Sequence, residues 1–260
     1  MDIFVLLAVF LFGVIIGSFN NVLIHRIPRG MSIIRPGSRC FSCHEPLKWY
    51  DNIPLLSYIL LGGKCRYCKA RIPFRYFLVE LLTGVLFVLL YLKFDLTVDF
   101  ALAAIFINTG IIVLFIDRDY RIIPDFLILI ILAVGLANLL VRATTEPGFD
   151  VGFYIFGLII GFLVLFIVRV FGELIYKREA LGLGDVKLLA VGGFYLGWPY
   201  VFLTLLLSSV IASIIELSLI RFGVRSRDDQ IPFGPYLVIG LALSLFVGEE
   251  IITWYTGLLS

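Results

Sequence analysis

Charge is scarce in this chain of 260 residues: Asp, Glu, Lys and Arg make up 15%, against 61% hydrophobic residues and a mean hydropathy of +1.06. That shortage excludes an ordinary soluble domain, in which about a quarter of residues are charged. The net charge is only +2, and no nucleic-acid partner is expected. The first apolar run, Ile3 to Ile24, lacks the basic stretch that precedes a secretory signal and carries Asp2 instead. It is also longer than the roughly 7 to 15 apolar residues of a signal core, so it reads as a retained span. Low-complexity tracts and internal repeats are missing as well. Cysteine is absent everywhere except one polar stretch, residues 26 to 75.

What is there is a series of apolar runs: Ile3 to Ile24, Tyr76 to Leu92, Phe100 to Ile116, Phe126 to Val141, Val151 to Phe171, Val186 to Trp198, Tyr200 to Ile220 and Phe233 to Tyr255. Since about 20 apolar residues cross a bilayer, the expected fold is an all-α polytopic membrane protein with about eight transmembrane helices. The sixth run is short and reaches Gly197-Trp198-Pro199 early, so it is expected to tilt or to begin below the lipid surface. Three parts follow: residues 1–25 as the first transmembrane helix, 26–75 as a polar domain, and 76–260 as a seven-helix membrane domain. With Met1 outside, 19 of the 21 basic residues fall on one side, leaving Lys93 and Arg142 for the other. By the positive-inside rule that side is the cytoplasm.

The polar domain carries Cys40-Phe41-Ser42-Cys43 and Cys65-Arg66-Tyr67-Cys68. Each two-residue turn aims two thiolates at one point, a pattern that suits tetrahedral Zn²⁺. Four cysteines close the coordination sphere, so the expected role is structural. The alternative is two disulfides or four unrelated thiols, and a reducing cytoplasm argues against disulfides. His44 is a substitute ligand or a surface residue. Ser18, Asn20 and Asn21, at the end of the first run, serve helix-to-helix hydrogen bonding or line a substrate path. His25, Arg26 and Arg29 read as an interfacial anchor.

Two acids stand out. Asp117 ends the third run, and Asp185 opens the sixth within Gly182-Leu183-Gly184-Asp185-Val186-Lys187. Two crossings separate them, so they lie on the same face. An ionisable side chain in a membrane helix costs about 2.5 to 3.5 kcal/mol on insertion scales and marks a functional site by default. Gly182 and Gly184 form an expected active-site loop, open to close approach and to positive φ. Asp125 has a structural reason, since with Pro124 it opens the fourth helix. Asp119 is expected to be solvated and ion-paired in a short loop, and Lys187 to snorkel or to pair with an acid. Two close aspartates share a proton and can hydrolyse an amide, one as base and one as acid. Intramembrane carboxylates also serve as proton relays or ion sites in transporters. The bare residues support both readings.

The order of motifs resembles the type IV prepilin peptidases, the leader peptidases of type IV pili, type II secretion and competence pseudopili. The resemblance runs through Gly17-Ser18-Phe19 and Asn21 to Pro28, and through the tetracysteine loop with Asn52-Ile53-Pro54-Leu55-Leu56-Ser57-Tyr58. It continues with Val79-Glu80-Leu81-Leu82-Thr83-Gly84, Asp117 with Ile123-Pro124-Asp125, Gly182 to Leu189, and Ile231-Pro232-Phe233-Gly234-Pro235-Tyr236. Asn20 departs from it, standing where an apolar residue is expected.

The resemblance implies a GxGD-type intramembrane aspartyl protease of the bacterial inner membrane, with Asp117 and Asp185 as its catalytic pair. It would cut the basic leader of type IV prepilins or pseudopilins after a glycine, at the cytoplasmic face. It also implies N-methylation of the new N-terminus with S-adenosylmethionine. The chain has no glycine-rich strand-to-helix fingerprint of a soluble dinucleotide-type methyltransferase, so the methyl-donor site follows from resemblance alone. Glu80 is a candidate for recognising a charged amine, or an ion-pair partner of Arg75 or Arg71. Glu173 and Glu179 are candidate counter-charges for a basic leader, or solvated side chains.

Overall fold

A computed structural model describes residues 2–177, 181–226 and 231–259, and Glu179 lies outside them. The helices in chain order are α1 (Ile3–Arg26), α2 (Leu56–Leu60), α3 (Arg75–Phe94), α4 (Val98–Tyr120) and α5 (Asp125–Thr145). They continue with α6 (Val151–Tyr176), α7 (Leu183–Leu196), α8 (Trp198–Arg221) and α9 (Gly234–Leu259). Among the described residues extended structure is limited to two isolated bridges, Arg39 with Pro46 and Lys64 with Arg71. Seven helices, all but α2 and α7, are long and apolar enough to cross a membrane. With the short α7 they account for the eight expected runs.

Backbone chemistry sets the helix ends. Arg121 turns left-handed at φ 57° and donates its N–H to the Asp117 carbonyl at 2.8 Å, closing α4. Pro124, which cannot donate, then precedes α5. Asp150 caps α6 by accepting from the Gly152 N–H at 2.8 Å. Gly197, at φ 103°, ends α7, and the Phe153 ring lies against the face where a side chain would stand. Only glycine fits there.

The chain forms two compact units, residues 1–104 and 105–260, with the boundary inside α4. In the first unit α1 packs on α3 along a seam of small residues. A methyl group added at Gly13 would stand 2.9 Å from Gly84 Cα, and one at Gly17 2.7 Å from Glu80 Cα. Lipid supplies no hydrophobic drive between helices, so such close backbone contact is a main source of attraction. Asn21 Nδ2 donates to the Tyr76 carbonyl at 3.0 Å and Asn20 Nδ2 meets Thr83 Oγ1 at 3.5 Å, sealing the end of the seam. Between α1 and α3 runs the cysteine loop. Arg26, buried, ties that loop to α1 by donating to the carbonyls of Ser32 at 2.9 Å and Pro36 at 2.6 Å.

In the second unit α7 is the centre. Its 14 residues rise about 21 Å at 1.5 Å each, short of a hydrocarbon core of about 30 Å. Nearly every side chain from Asp185 to Tyr195 is buried. Helices α5, α6, α8 and α9 all pack against it. The closest approach is to α6, where a methyl at Gly157 would meet the Gly193 carbonyl oxygen at 2.1 Å and one at Gly161 the Leu189 carbonyl oxygen at 2.7 Å. Phe106 of α4 stacks on Tyr195 with ring centroids 4.4 Å apart. The outward faces carry large apolar side chains such as Phe162, Ile167 and Phe202 in open exposure, as lipid requires.

Candidate active site and metal centre

The two acids singled out from the sequence both lie in the second unit, within electrostatic reach of one another. Asp117 lies one turn before the end of α4 and Asp185 in the first turn of α7, each buried, at 6% and 7% exposure. Their carboxyls are near enough to act on one another electrostatically. The backbone N–H of Gly182 faces Asp185, and that of Gly234 faces Asp117. One oxygen of each, Asp117 Oδ2 and Asp185 Oδ1, is buried without a hydrogen-bond partner among the described residues.

Asp185 occupies the third helical position after the capping Gly182. An acid there reaches back to the capping N–H, as in a capping box, so helix geometry and site geometry are met by one side chain. The positive φ expected in the glycine loop is not found. Gly182 sits at φ −68°, ψ 142°, and Gly184 is already helical. Close approach, the other expectation for these glycines, is found. A methyl on Gly184 would stand 2.9 Å from Ile123 Cβ, and one on Gly182 3.2 Å from Asp185 Oδ2. Ile123 also faces Gly234, where an added methyl would lie 2.6 Å from Asp117 Oδ2. Ile123 is thus wedged between the glycines that flank the two acids.

Other charges fall as follows. Asp125 accepts from Lys187 Nζ at 2.6 Å in an exposed pair, so Lys187 pairs with an acid. Asp119 belongs to the last turn of α4, not to a loop, because Arg121 delays the end of the helix. Glu173 pairs with Arg169 one turn earlier on α6 at 2.8 Å. Sequence reasoning missed Glu216. Only 5% exposed on α8, it accepts from Tyr236 Oη at 2.5 Å and from Arg225 Nη1 at 2.6 and 2.7 Å. This network ties α8 to the segment that carries Gly234. The available signal was a lone acid within an apolar run.

In the first unit all four cysteine sulfurs lie within 4.8 Å of one another, with Cys40 Sγ and Cys68 Sγ 3.7 Å apart. A tetrahedral metal at about 2.3 Å from each thiolate requires edges of about 3.8 Å. The donors fit a closed four-sulfur site. Both turns are built alike. Cys40 N–H donates to Glu45 O and His44 N–H to Cys40 O; Cys65 N–H donates to Ala70 O and Lys69 N–H to Cys65 O. His44 and Lys69 share a left-handed backbone at φ 59° and 62°, so His44 completes a turn and stands outside the sulfur cluster. The N–H groups of Cys43 and Ser42 pull the Cys40 thiol down to about 7, favouring the thiolate that metals bind. Glu80, buried on α3, accepts the Leu55 N–H at 2.8 Å, and Leu55 takes the unusual φ of 58°. Asp51 Oδ1 accepts Arg66 Nε at 2.7 Å.

Two buried aspartates, one near the end of α4 and one in the first turn of α7, with four clustered cysteines elsewhere in the chain that could bind a metal, define an acid-bearing helical membrane protein with a candidate metal site. Residues 11–94 match the Bacterial Peptidase A24 N-terminal domain, and residues 104–217 match the Type IV leader peptidase family. Among similar proteins, one from Pseudomonas aeruginosa is 34% identical over 96% of this chain and 92% of its own length. One from Aeromonas salmonicida is 36% identical (95% and 92%), and one from Legionella pneumophila 34% (98% and 95%). Each bears the name prepilin leader peptidase/N-methyltransferase. No solved structure matches the chain. The chain belongs to the type IV leader peptidase family and is a multi-pass inner-membrane protein.

Proposed function

We propose that this enzyme removes the leader of type IV prepilins or pseudopilins with Asp117 and Asp185, then methylates the exposed N-terminus. The observation that carries the peptidase reading is the pairing of two buried aspartates, each with one oxygen unpartnered. Their carboxyls hold one proton between them, because two close carboxylates do not both ionise. The ionised carboxylate takes a proton from water, whose oxygen attacks the carbonyl carbon of the scissile bond. The protonated partner gives its proton to the departing amide nitrogen as the carbon–nitrogen bond breaks. The backbone N–H groups of Gly182 and Gly234 hold the acids in place through the cycle.

The basic residues grouped around the cysteine loop and the acid-bearing ends support a cytoplasmic orientation for those segments. Residues 26–75 form the metal-binding domain and 76–260 the peptidase bundle. We assign zinc to Cys40, Cys43, Cys65 and Cys68, since soft thiolates in a tetrahedron favour it. With all four positions filled by protein, the metal's work is structural. S-adenosylmethionine, when bound, supplies an electrophilic methyl group to the lone pair of the new α-amine.

Incubation of the purified, zinc-loaded protein with one prepilin, with and without S-adenosylmethionine, tests this by mass spectrometry. The expected products are a leader ending in glycine in both samples and a 14-Da increment only in the second. An intact prepilin in both samples overturns the peptidase reading. Cleavage without the increment overturns the methyl-transfer reading alone.

A further inference from the structure

Glu216 is a buried acid of the second unit that the hydrolytic pair leaves unused. A carboxylate within a membrane helix is costly and marks a functional position by default. Packing does not require it here. Farther along the same seam, Thr204 Oγ1 of α8 and Ser244 Oγ of α9 meet at 2.9 Å, and a methyl group added at Gly240 would collide with Ser208 Oγ. The two helices are thus fastened to one another, away from the aspartates, by close contact and a neutral hydrogen bond.

The bonds of Glu216 lie where α8 ends and α9 begins. The chain leaves α8 through Gly223, left-handed at φ 68°, and doubles back so that the Val224 N–H reaches the Leu219 carbonyl at 3.0 Å. That reversal returns Arg225 to Glu216, nine residues earlier, where Nη1 spans both carboxylate oxygens at 2.6 and 2.7 Å. Tyr236 Oη, from the first turn of α9, donates to the same carboxylate at 2.5 Å. Gly234 opens that turn. Its N–H is one that the helix itself cannot use, and it faces Asp117. Pro235, between the two, holds its φ at about −65°, so the Tyr236 ring and the Gly234 N–H turn together. Resting on the peptidase reading above, we infer that Glu216 is a positioning residue for hydrolysis: through Tyr236 it sets the rotation of the first turn of α9, and so the aim of the Gly234 N–H at Asp117. Arg225 holds the carboxylate in the orientation that Tyr236 meets. A charge-assisted bond is short and directional, which the neutral contacts farther along the seam are not.

The full-length, zinc-loaded protein in detergent is assayed for kcat and KM on one prepilin, with thermal unfolding of each variant recorded alongside. Tyr236→Phe and Glu216→Leu are each expected to lower kcat about tenfold or more with KM changed by less than about twofold. The double variant is expected to lose no more than the worse single one, since both break one linkage. Glu216→Gln, whose amide oxygen still accepts from Tyr236, is expected to recover most of the lost kcat. Ser244→Ala, which removes the Thr204 hydrogen bond of the same seam, is expected to lower stability while kcat stays within about twofold. Tyr236→Phe keeps the ring and decides the matter if Glu216→Leu fails to insert. Wild-type kcat in Tyr236→Phe overturns the assignment and leaves the peptidase reading standing, as does an equal loss of kcat in Ser244→Ala or no recovery in Glu216→Gln. A wild-type enzyme that leaves the prepilin intact removes the peptidase reading and this assignment with it.

Discussion

The thiolate cluster and the aspartate pair are built by opposite means. The cluster is local work: two similar turns, each closed by its own backbone hydrogen bonds, present four sulfurs that one ion can bridge. The pair is long-range work, joining the end of α4 to the start of α7 through helices that fix each other by burial. A site made of turns tolerates exposure, and Cys43 and Cys68 are exposed. A site made of helix ends does not, and both aspartates are buried. Local damage should therefore abolish the first site outright, whereas the second should respond in grades to how far an acid is moved.

The sharpest test of that contrast removes the chemistry from the second site. Asp117→Asn and Asp185→Asn should each lower leader cleavage by about 10³-fold or more, as expected when an acid or base at the reacting centre is lost. Gel quantification of cleaved pilin, normalised to inserted enzyme, checks this. Equal loss from both variants marks a pair acting as a unit.

Next in size is the first site. Cys40→Ser or Cys65→Ser should take bound zinc from about one per chain to none, because a structural site rarely survives the loss of one ligand. Elemental analysis reads the outcome directly, and a chelator should reproduce it on the wild type. Partial retention of metal would break the contrast between all-or-none and graded sites.

A graded response should follow at Gly234→Ala. The added methyl meets Asp117 Oδ2 at 2.6 Å, and displacing a reacting group by about 1 Å costs on the order of 100-fold. The expected signature is a fall in kcat with little change in KM. Tyr236→Phe removes a charge-assisted hydrogen bond to Glu216, worth about 1.5–3 kcal/mol. Denaturation in detergent should show that loss of stability. The smallest effect belongs to Lys187→Ala, whose partner Asp125 is mostly exposed; a surface pair of this kind contributes at most about 1 kcal/mol.

Long apolar runs made most of the helices legible, since a helix that must satisfy its own backbone in lipid writes its length into composition. Cysteine spacing made the sulfur cluster legible for a similar reason: turn chemistry is local. Asp117 and Asp185 were legible as a same-side pair because crossings alternate. What stayed hidden depends on third parties. The close approach expected at Gly184 is made by Ile123, a residue 61 positions away, and nothing in the sequence names that neighbour. Glu216 looked like a stray charge until Tyr236 and Arg225 met it.

The seam between α1 and α3 has a mechanical consequence. Gly13, Gly17 and Gly84 leave the two helices no clearance in which to slide, so the pair behaves as a single rigid post. Both ends of the cysteine loop are mounted on that post, at Arg26 and Arg75. A thicker or thinner bilayer can tilt the post but cannot spread its two legs. The mounting of the loop should therefore keep its dimensions from one membrane to another, a form of insulation from lipid composition that a looser helix pair would not provide.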